Sequence, residues 1–290
     1  MNCPVCRGPA RPLYKKGRFD VARCTQCRTL FIENPPPDTS AIYDETYFFG
    51  GGGSGGYGSY DTEKEMMRGT FERCLDLISR YQAKGNLFDV GAATGYFLTL
   101  AKRRGFGVSG VDVSSTAAQE ARRKGIDVRV GTLETIDYPS ASFEVVTLFD
   151  VLEHVPHPDS FIRHAADLLA PGGILMGSTP DSGSAYARIM GRRWHLLFPP
   201  EHLVLLNDYS LRLLLSKHGL ETVWTGRITK RFSLPYIFQT TARWLGVPLL
   251  NRIGNMLRGT RLGALAIPLD LHDNIFFVAR KKTPPAPAPC

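Results

Sequence analysis

No run of apolar residues reaches the roughly 18 needed to cross a bilayer, so the sequence offers no candidate membrane span. The opening Met1-Asn2-Cys3-Pro4 has no charged stretch leading into an apolar one, and a secretory signal is not expected. Cytoplasmic location is the resulting expectation, and disulfides are rare in reducing compartments. The six cysteines of the 290-residue chain therefore call for another use. There is no internal repeat, and no glycine-rich loop ending in Gly-Lys-Ser/Thr that would cradle a phosphate. Acid is missing between Glu221 and Asp270, a stretch that carries Arg227, Lys230, Arg231, Arg243, Arg252, Arg258 and Arg261. Residues 1–34 are basic as well, with seven Lys/Arg against Asp20 and Glu33. These two positive regions flank a balanced middle and account for much of the net charge of +8. An anionic partner is one reading: nucleotide, phospholipid surface or nucleic acid. Simple solubility is the other.

What is present begins with two cysteine pairs. Cys3-x2-Cys6 and Cys24-x2-Cys27 are separated by seventeen residues. Two such turns brought together set four thiolates around one ion, and soft ligands in a closed set favour structural Zn2+. Residues 1–34 thus read as a zinc ribbon. Cys74 reads as a small core residue. A stiff Asn34-Pro35-Pro36-Pro37 follows the ribbon, and residues 35–84 read as linker, lid and helix. In that segment aromatics, Tyr57 and Tyr60 among them, interleave with glycines. The stretch is a flexible linker or a mobile lid over a ligand. A helix is expected over residues 62–81 with Met66, Phe71, Leu75 and Ile78 near one face.

From residue 85 to 280 short apolar runs alternate with amphipathic stretches. Strands are expected at Asn86–Val90, Gly107–Asp112, 126–130, Phe143–Phe149, 173–179, 220–227 and 274–280. Helices are expected at 95–104, 114–124, 159–169 and 207–219. That order predicts an α/β fold, a Rossmann-like doubly wound and mostly parallel seven-stranded sheet. Residues 229–270 read as an insertion with amphipathic helical pieces, and 281–290 as a disordered, proline-rich tail.

The run Asp89-Val90-Gly91-Ala92-Ala93-Thr94-Gly95-Tyr96-Phe97 ends a strand, turns on small residues and opens a helix. Its glycine spacing is wrong for the dinucleotide fingerprint. It resembles motif I of the class I S-adenosylmethionine-dependent methyltransferases, with Asp89, Gly91 and Gly95 in place and Ala93 where a middle glycine is usual. The resemblance implies that this loop passes beneath the methionine moiety and that Asp89 helps hold its ammonium. It implies ribose hydroxyls on Asp112 with Val113 beside it, and an adenine pocket at Thr132 and Leu133. Phe149 and Asp150 complete the expected S-adenosylmethionine site after the fourth strand, and Tyr57 and Tyr60 would close over it. Glu153 and His154 follow, a pair that in many relatives braces the pocket floor, with His154 a candidate for direct chemistry.

The ribbon, the tyrosine segment, the motif I core and the Pro200-Glu201-His202-Leu203 loop together resemble a branch containing bacterial sugar and small-metabolite methyltransferases. In that group the Glu-His pair lies at the acceptor. The resemblance implies His202 as general base, with Glu201 orienting its imidazole, and a small-molecule, sugar or nucleotide-linked acceptor. Two other readings stay open. One is an rRNA or tRNA methyltransferase gripping RNA with its basic ribbon, although no Asn-Pro-Pro-Tyr-type motif follows the fourth strand. The other is a non-catalytic binding protein on the same fold. The insertion reads as a helical cover over the substrate pocket, or as a peripheral membrane contact.

Overall fold

The computed structural model describes residues 1–36 and 64–283. Tyr57, Tyr60 and most of the expected lid lie outside the described residues, as do residues 284–290 of the tail.

The N-terminal strands β1 (Ala10–Lys16), β2 (Phe19–Cys24) and β3 (Leu30–Ile32) form an antiparallel meander. The main sheet starts with β4 (Asn86–Val90), β5 (Gly107–Asp112), β6 (Asp127–Val130) and β7 (Phe143–Phe149), all mutually parallel. Next comes β8 (Leu169–Pro180), parallel to β7. Later elements are β9 (Val204–Leu205), β10 (Leu220–Gly226), the hairpin strands β11 (Lys230–Ser233) and β12 (Ala266–Leu269), and β13 (Asn274–Lys281). The seven-stranded order is β10-β13-β8-β7-β4-β5-β6, with β13 antiparallel to both its neighbours. This is the expected Rossmann-like sheet. Its central strands read as near-continuous apolar runs because helices cover both faces.

The helices are α1 (Arg68–Tyr81), α2 (Tyr96–Arg103), α3 (Ser115–Arg123) and α4 (Pro158–Leu168). After them come α5 (Ala185–Met190), α6 (Asp208–Lys217), α7 (Leu234–Leu245) and α8 (Pro248–Leu257). Local chemistry sets their ends. Ser114 caps α3 by accepting from Ala117 N–H, and Asn207 and Ser210 form a reciprocal capping box on α6. Gly219, at φ +71°, leaves α6 in the left-handed conformation expected of a C-terminal glycine.

Two features depart from expectation. At the head of α1 it is Met67, its N-terminal capping position, and not Met66, that is buried with Phe71, Leu75 and Ile78. Cys74 is buried beside them, as a core residue should be. The fifth parallel strand starts four residues before 173, because Leu169 already pairs with Phe143 and the Pro171-Gly172 turn is accommodated as a bulge. The insertion holds helical pieces as expected, α7 and α8, set between the antiparallel strands β11 and β12.

The ribbon strands also continue into the larger unit. β3 pairs with β9, Leu30 with Leu205 and Phe31 with Val204. One buried apolar cluster runs from Val5, Val21 and Phe31 through Trp194 and Leu203 to Leu148 and Phe277.

Candidate functional site

The carboxyl ends of β4 and β5 meet at the loop predicted to bind a cofactor. Gly91, Ala93 and Gly95 have φ of +74°, +48° and +73°, a left-handed conformation that glycine enters freely and alanine only at a cost of about 1 kcal/mol. Ala93 is held there by its N–H, which donates to Asp112 Oδ2 at 2.7 Å, while Ser114 N–H donates to Oδ1 at 2.8 Å. A Cβ on Gly91 would stand 2.8 Å from a methyl of Val151, so the turn is closely packed from behind.

Burial is the main influence on both acids here. It pushes Asp112 up to about 6, against the two backbone hydrogen bonds. It pushes Asp89 up to about 7, opposed by a 2.6 Å hydrogen bond from Thr147 Oγ1 and aided by nearby Asp112.

A cavity of about 1010 Å³ opens from this loop. Gly91, Ala93, Asp112, Val113, Thr132, Leu133, Phe149 and Asp150 line it, and so do His154, Glu201 and His202. Asp89, Gly95, Tyr96 and Phe97 are not among its lining. Asp89 lies buried behind the loop, and Tyr96 donates its hydroxyl to Glu65. Phe97 packs its ring against Phe71 and Phe149, with centroids 5.5 and 4.9 Å away.

Opposite the cofactor loop the walls come from distant parts of the chain. Asp150 accepts from Ser178 Oγ at 2.7 Å and from Lys230 Nζ at 2.6 Å. Burial would raise Asp150, but the Lys230 ammonium holds it down to about 2. Three residues on, Glu153 is 2% exposed and accepts from Thr179 Oγ1 at 3.0 Å. Burial, then the Asp150 charge, pushes Glu153 up to about 8.

The two histidines sit edge to face, ring centroids 4.8 Å apart. His154 Nδ1 lies 2.9 Å from the Glu201 carbonyl, and His202 Nδ1 lies 2.5 Å from the Leu196 carbonyl. A carbonyl only accepts, so each Nδ1 carries the proton and each neutral Nε2 keeps a lone pair. Burial lowers both rings, His202 to about 3, with His154 adding to the effect. The acceptor at His202 Nδ1 is the Leu196 main chain, while the Glu201 main chain serves His154. The ligand atoms of Glu153, His154 and His202 lie within 4.8 Å of one another, close enough to share a metal ion.

The sequence marks Glu153 only as half of a pair expected to brace the pocket floor, and marks none of Lys230, Asp273 and Trp244 for this site. Glu153 carries a signal, an acid beside histidine between the apolar Leu152 and Val155, in the short turn Leu152–His154 beyond β7. Asp273, 3% exposed, accepts from Trp194 Nε1 at 2.8 Å and so fixes the aromatic loop. The insertion supplies the remaining cover: Phe232 and Tyr236, stacked at 4.9 Å, then Ile237, Thr240 and Trp244 from α7.

At the other end of the molecule the four ribbon cysteines approach one another. Their Sγ atoms all lie within 4.8 Å, with Cys3–Cys27 at 3.5 Å and Cys6–Cys24 at 3.4 Å, and none is in a disulfide. Val5, Gly8 and Cys27 N–H groups donate to these sulfurs. Amides turned toward thiolates are the usual surroundings of a closed tetrathiolate metal site.

A profile of the methyltransferase domain family matches residues 66–225, more than half the chain. The chain belongs to that family. It falls in the class I, S-adenosylmethionine-dependent group, as the sheet order and cofactor loop lead one to expect. Among curated proteins it is similar to a ubiquinone biosynthesis O-methyltransferase of Paramagnetospirillum magneticum, 39% identical over 99 residues, 32% of this chain and 39% of that protein. The same named enzyme of a Caulobacter species is 35% identical over 118 residues, 35% of this chain and 47% of the relative. The chain thus matches under half the length of these relatives. Among solved structures, YcgJ from Bacillus subtilis has a TM-score of 0.53 at 14% identity, covering 74% of this chain and 99% of its own. The [4+2]-cyclase SpnF has a TM-score of 0.50 at 22% identity, over 73% of this chain and 81% of that one. These two likenesses speak for the fold alone.

Proposed function

We propose that this methyltransferase-family protein transfers a methyl group from S-adenosylmethionine to a hydroxyl on an uncharged small molecule with an apolar body. The observation that carries the reading is the single cavity, which joins Gly91, Asp112 and Leu133 on one side to His154, His202 and Tyr236 on the other. The donor supplies an electrophilic methyl on sulfonium sulfur. Asp112 receives the ribose hydroxyls, Leu133 and Thr132 bound the adenine, and Asp89, behind the loop, faces the ammonium through its electrostatic field. His202 takes the acceptor proton on Nε2, the nitrogen left unprotonated by the Leu196 contact. The acceptor oxygen would then bond to the methyl in line as the S–CH3 bond breaks, its electron pair staying on sulfur and S-adenosylhomocysteine leaving, and positioning supplies much of the acceleration.

The charge balance of the acceptor wall favours an uncharged substrate. Asp150 and Lys230 neutralise each other, Glu153 is largely protonated near neutrality, and both histidines are neutral. Oxygen as the methylated atom is supported by the names of the curated relatives. A sugar hydroxyl is a narrower case of the same reading. The ribbon holds Zn2+ on Cys3, Cys6, Cys24 and Cys27 in a structural role.

The test is calorimetric titration with S-adenosylmethionine and S-adenosylhomocysteine, followed by a screen of phenols, sugars and apolar alcohols for methylated product. Binding of both ligands is expected, and His202→Ala should slow turnover on the order of 100-fold while leaving donor affinity unchanged. A well-folded protein that binds neither ligand would sink the enzyme reading in favour of a non-catalytic binding protein.

A further inference from the structure

We propose that the two basic regions of the chain form one docking surface for an anionic lipid membrane. Although far apart in sequence, they meet at the turn 191–193. Lys16 Nζ of the ribbon hairpin donates to the Arg192 carbonyl at 2.8 Å, and Trp244 Nε1 of α7 donates to the Arg193 carbonyl at 2.7 Å. The turn brings its own cations, with Arg188 and Arg192 exposed, and there is no acid from residue 182 to 200 or from 222 to 269. Arg18 on the hairpin and Arg252 and Arg261 on the insertion are exposed too.

The surface is also apolar where a water-facing one would be polar. On α8, Leu249, Arg252 and Met256 fall at i, i+3 and i+7, one stripe of the helix, and Leu249 and Met256 are 62% and 78% exposed. Leu262 and Leu265 follow the same helix at 60% and 48%, and Ile189, beside the turn, is 82% exposed. Aliphatic side chains interleaved with arginine match the boundary of an anionic bilayer, where the hydrocarbon enters the lipid and the guanidinium meets the headgroups. A surface for single-stranded nucleic acid would instead offer aromatic rings for stacking. Among the described residues no helix is long and apolar enough to span, so the contact is peripheral. The inner face of α7 lines the cavity through Ile237, Thr240 and Trp244. An acceptor dissolved in lipid therefore meets the pocket from the docked side. That last step rests on the proposed methyl transfer, whereas the docking does not.

Co-sedimentation of the full chain with phosphatidylcholine vesicles, with and without phosphatidylglycerol, tests the surface. Binding to the anionic vesicles is expected, weakening as salt rises. Leu249→Gln/Met256→Gln and Arg252→Glu/Arg261→Glu should each weaken it roughly tenfold or more, with S-adenosylmethionine affinity unchanged. No binding to anionic vesicles overturns the proposal, and so does full binding by both variants. A dimer that the Gln variant dissolves, without vesicle binding, assigns the surface to a second copy and also overturns it. Retention on polyuridylate in place of vesicles does the same for RNA. Vesicle binding by protein that fails to bind S-adenosylmethionine would leave the docking standing and remove the methyl-transfer reading.

Discussion

The two sides of the cavity are built differently. The side proposed for the cofactor is made by strand ends and the turns that directly follow them: Gly91 and Ala93 after β4, Asp112 and Val113 at the end of β5, Thr132 and Leu133 after β6. Its polar contacts are largely main chain, as in the two amides held by Asp112. The acceptor side gathers Glu153, His202, Lys230 and Trp244 from segments up to about 90 residues apart, and depends on side chains and on the ribbon behind them. One side is fixed by the fold, and the other is mounted on it. Disturbing each separately should therefore give separable losses.

The largest effect is expected from zinc removal. Ile32 N–H donates to the Leu203 carbonyl at 2.9 Å, and Asn207 Nδ2 donates to the Cys27 carbonyl at 2.9 Å. The ribbon thereby braces the chain just after His202, and Lys16 holds the Arg192 carbonyl ten residues before it. Chelation, or Cys24→Ser, should lower methyl transfer on the order of 100-fold by displacing the 194–205 loop. S-adenosylmethionine affinity should stay within about twofold, since none of its predicted contacts touches the ribbon. Equal loss of both functions would erase the distinction between the two sides. The converse variant, Asp112→Ala, removes a buried carboxylate acceptor and should weaken cofactor binding about 100-fold by calorimetry. Vesicle binding and the ribbon's metal content should be unchanged.

The same division explains what the sequence disclosed. β4, β5 and β7 end where their apolar runs end, and the cofactor turn lies next to them in the chain, so period and motif were enough to find it. The pairing of β3 with β9 joins residues more than 170 positions apart, and no local pattern announces it. Likewise Lys230 reaches Asp150 across 80 positions, and Asp273 reaches Trp194 across 79. The loop sequence points to His202, but not to the acceptor of its Nδ1, because Leu196 acts through a carbonyl that every residue possesses. Met66 and Met67 were confused because neighbouring helical positions differ by 100° and helix phase was set by too few apolar residues.

A pH titration sharpens the comparison at intermediate size. Asp112 and Asp89 are raised to about 6 and about 7 from the ordinary carboxylate range. A raised carboxylate stabilises the fold fully below its unfolded pKa near 4 and loses that contribution as pH rises through 6 to 7. Cofactor binding runs the other way, since ribose hydroxyls and an ammonium require the ionised acids. Affinity should rise about tenfold between pH 5.5 and 7.5 and then level off, with protons released on binding. Calorimetry in two buffers of different ionisation enthalpy measures that release. In Asp112→Asn the rise should be reduced, and a flat profile in the native protein would mean that neither acid faces the ligand.

The smallest expected effect tests the joint between the sides. Asp150 directly follows β7, the parallel neighbour of β4, and Lys230 opens the β11–β12 pair that carries α7 and α8. Their contact is therefore where the mounted side is fastened to the fixed one. Thr70 Oγ1 donates to the Thr229 carbonyl at 2.9 Å, a second fastening beside the first. The Lys230 side chain is 13% exposed and that of Asp150 38%, so solvent weakens the pair and its coupling should be about 1 kcal/mol. A double-mutant cycle of Lys230→Met and Asp150→Asn, read by thermal unfolding, gives that figure. The kinetic consequence should fall on the acceptor, with Lys230→Met raising its KM severalfold while the S-adenosylmethionine Kd stays unchanged. If donor affinity fell equally, Asp150 would belong to the cofactor side alone, and the hairpin would be fastened elsewhere.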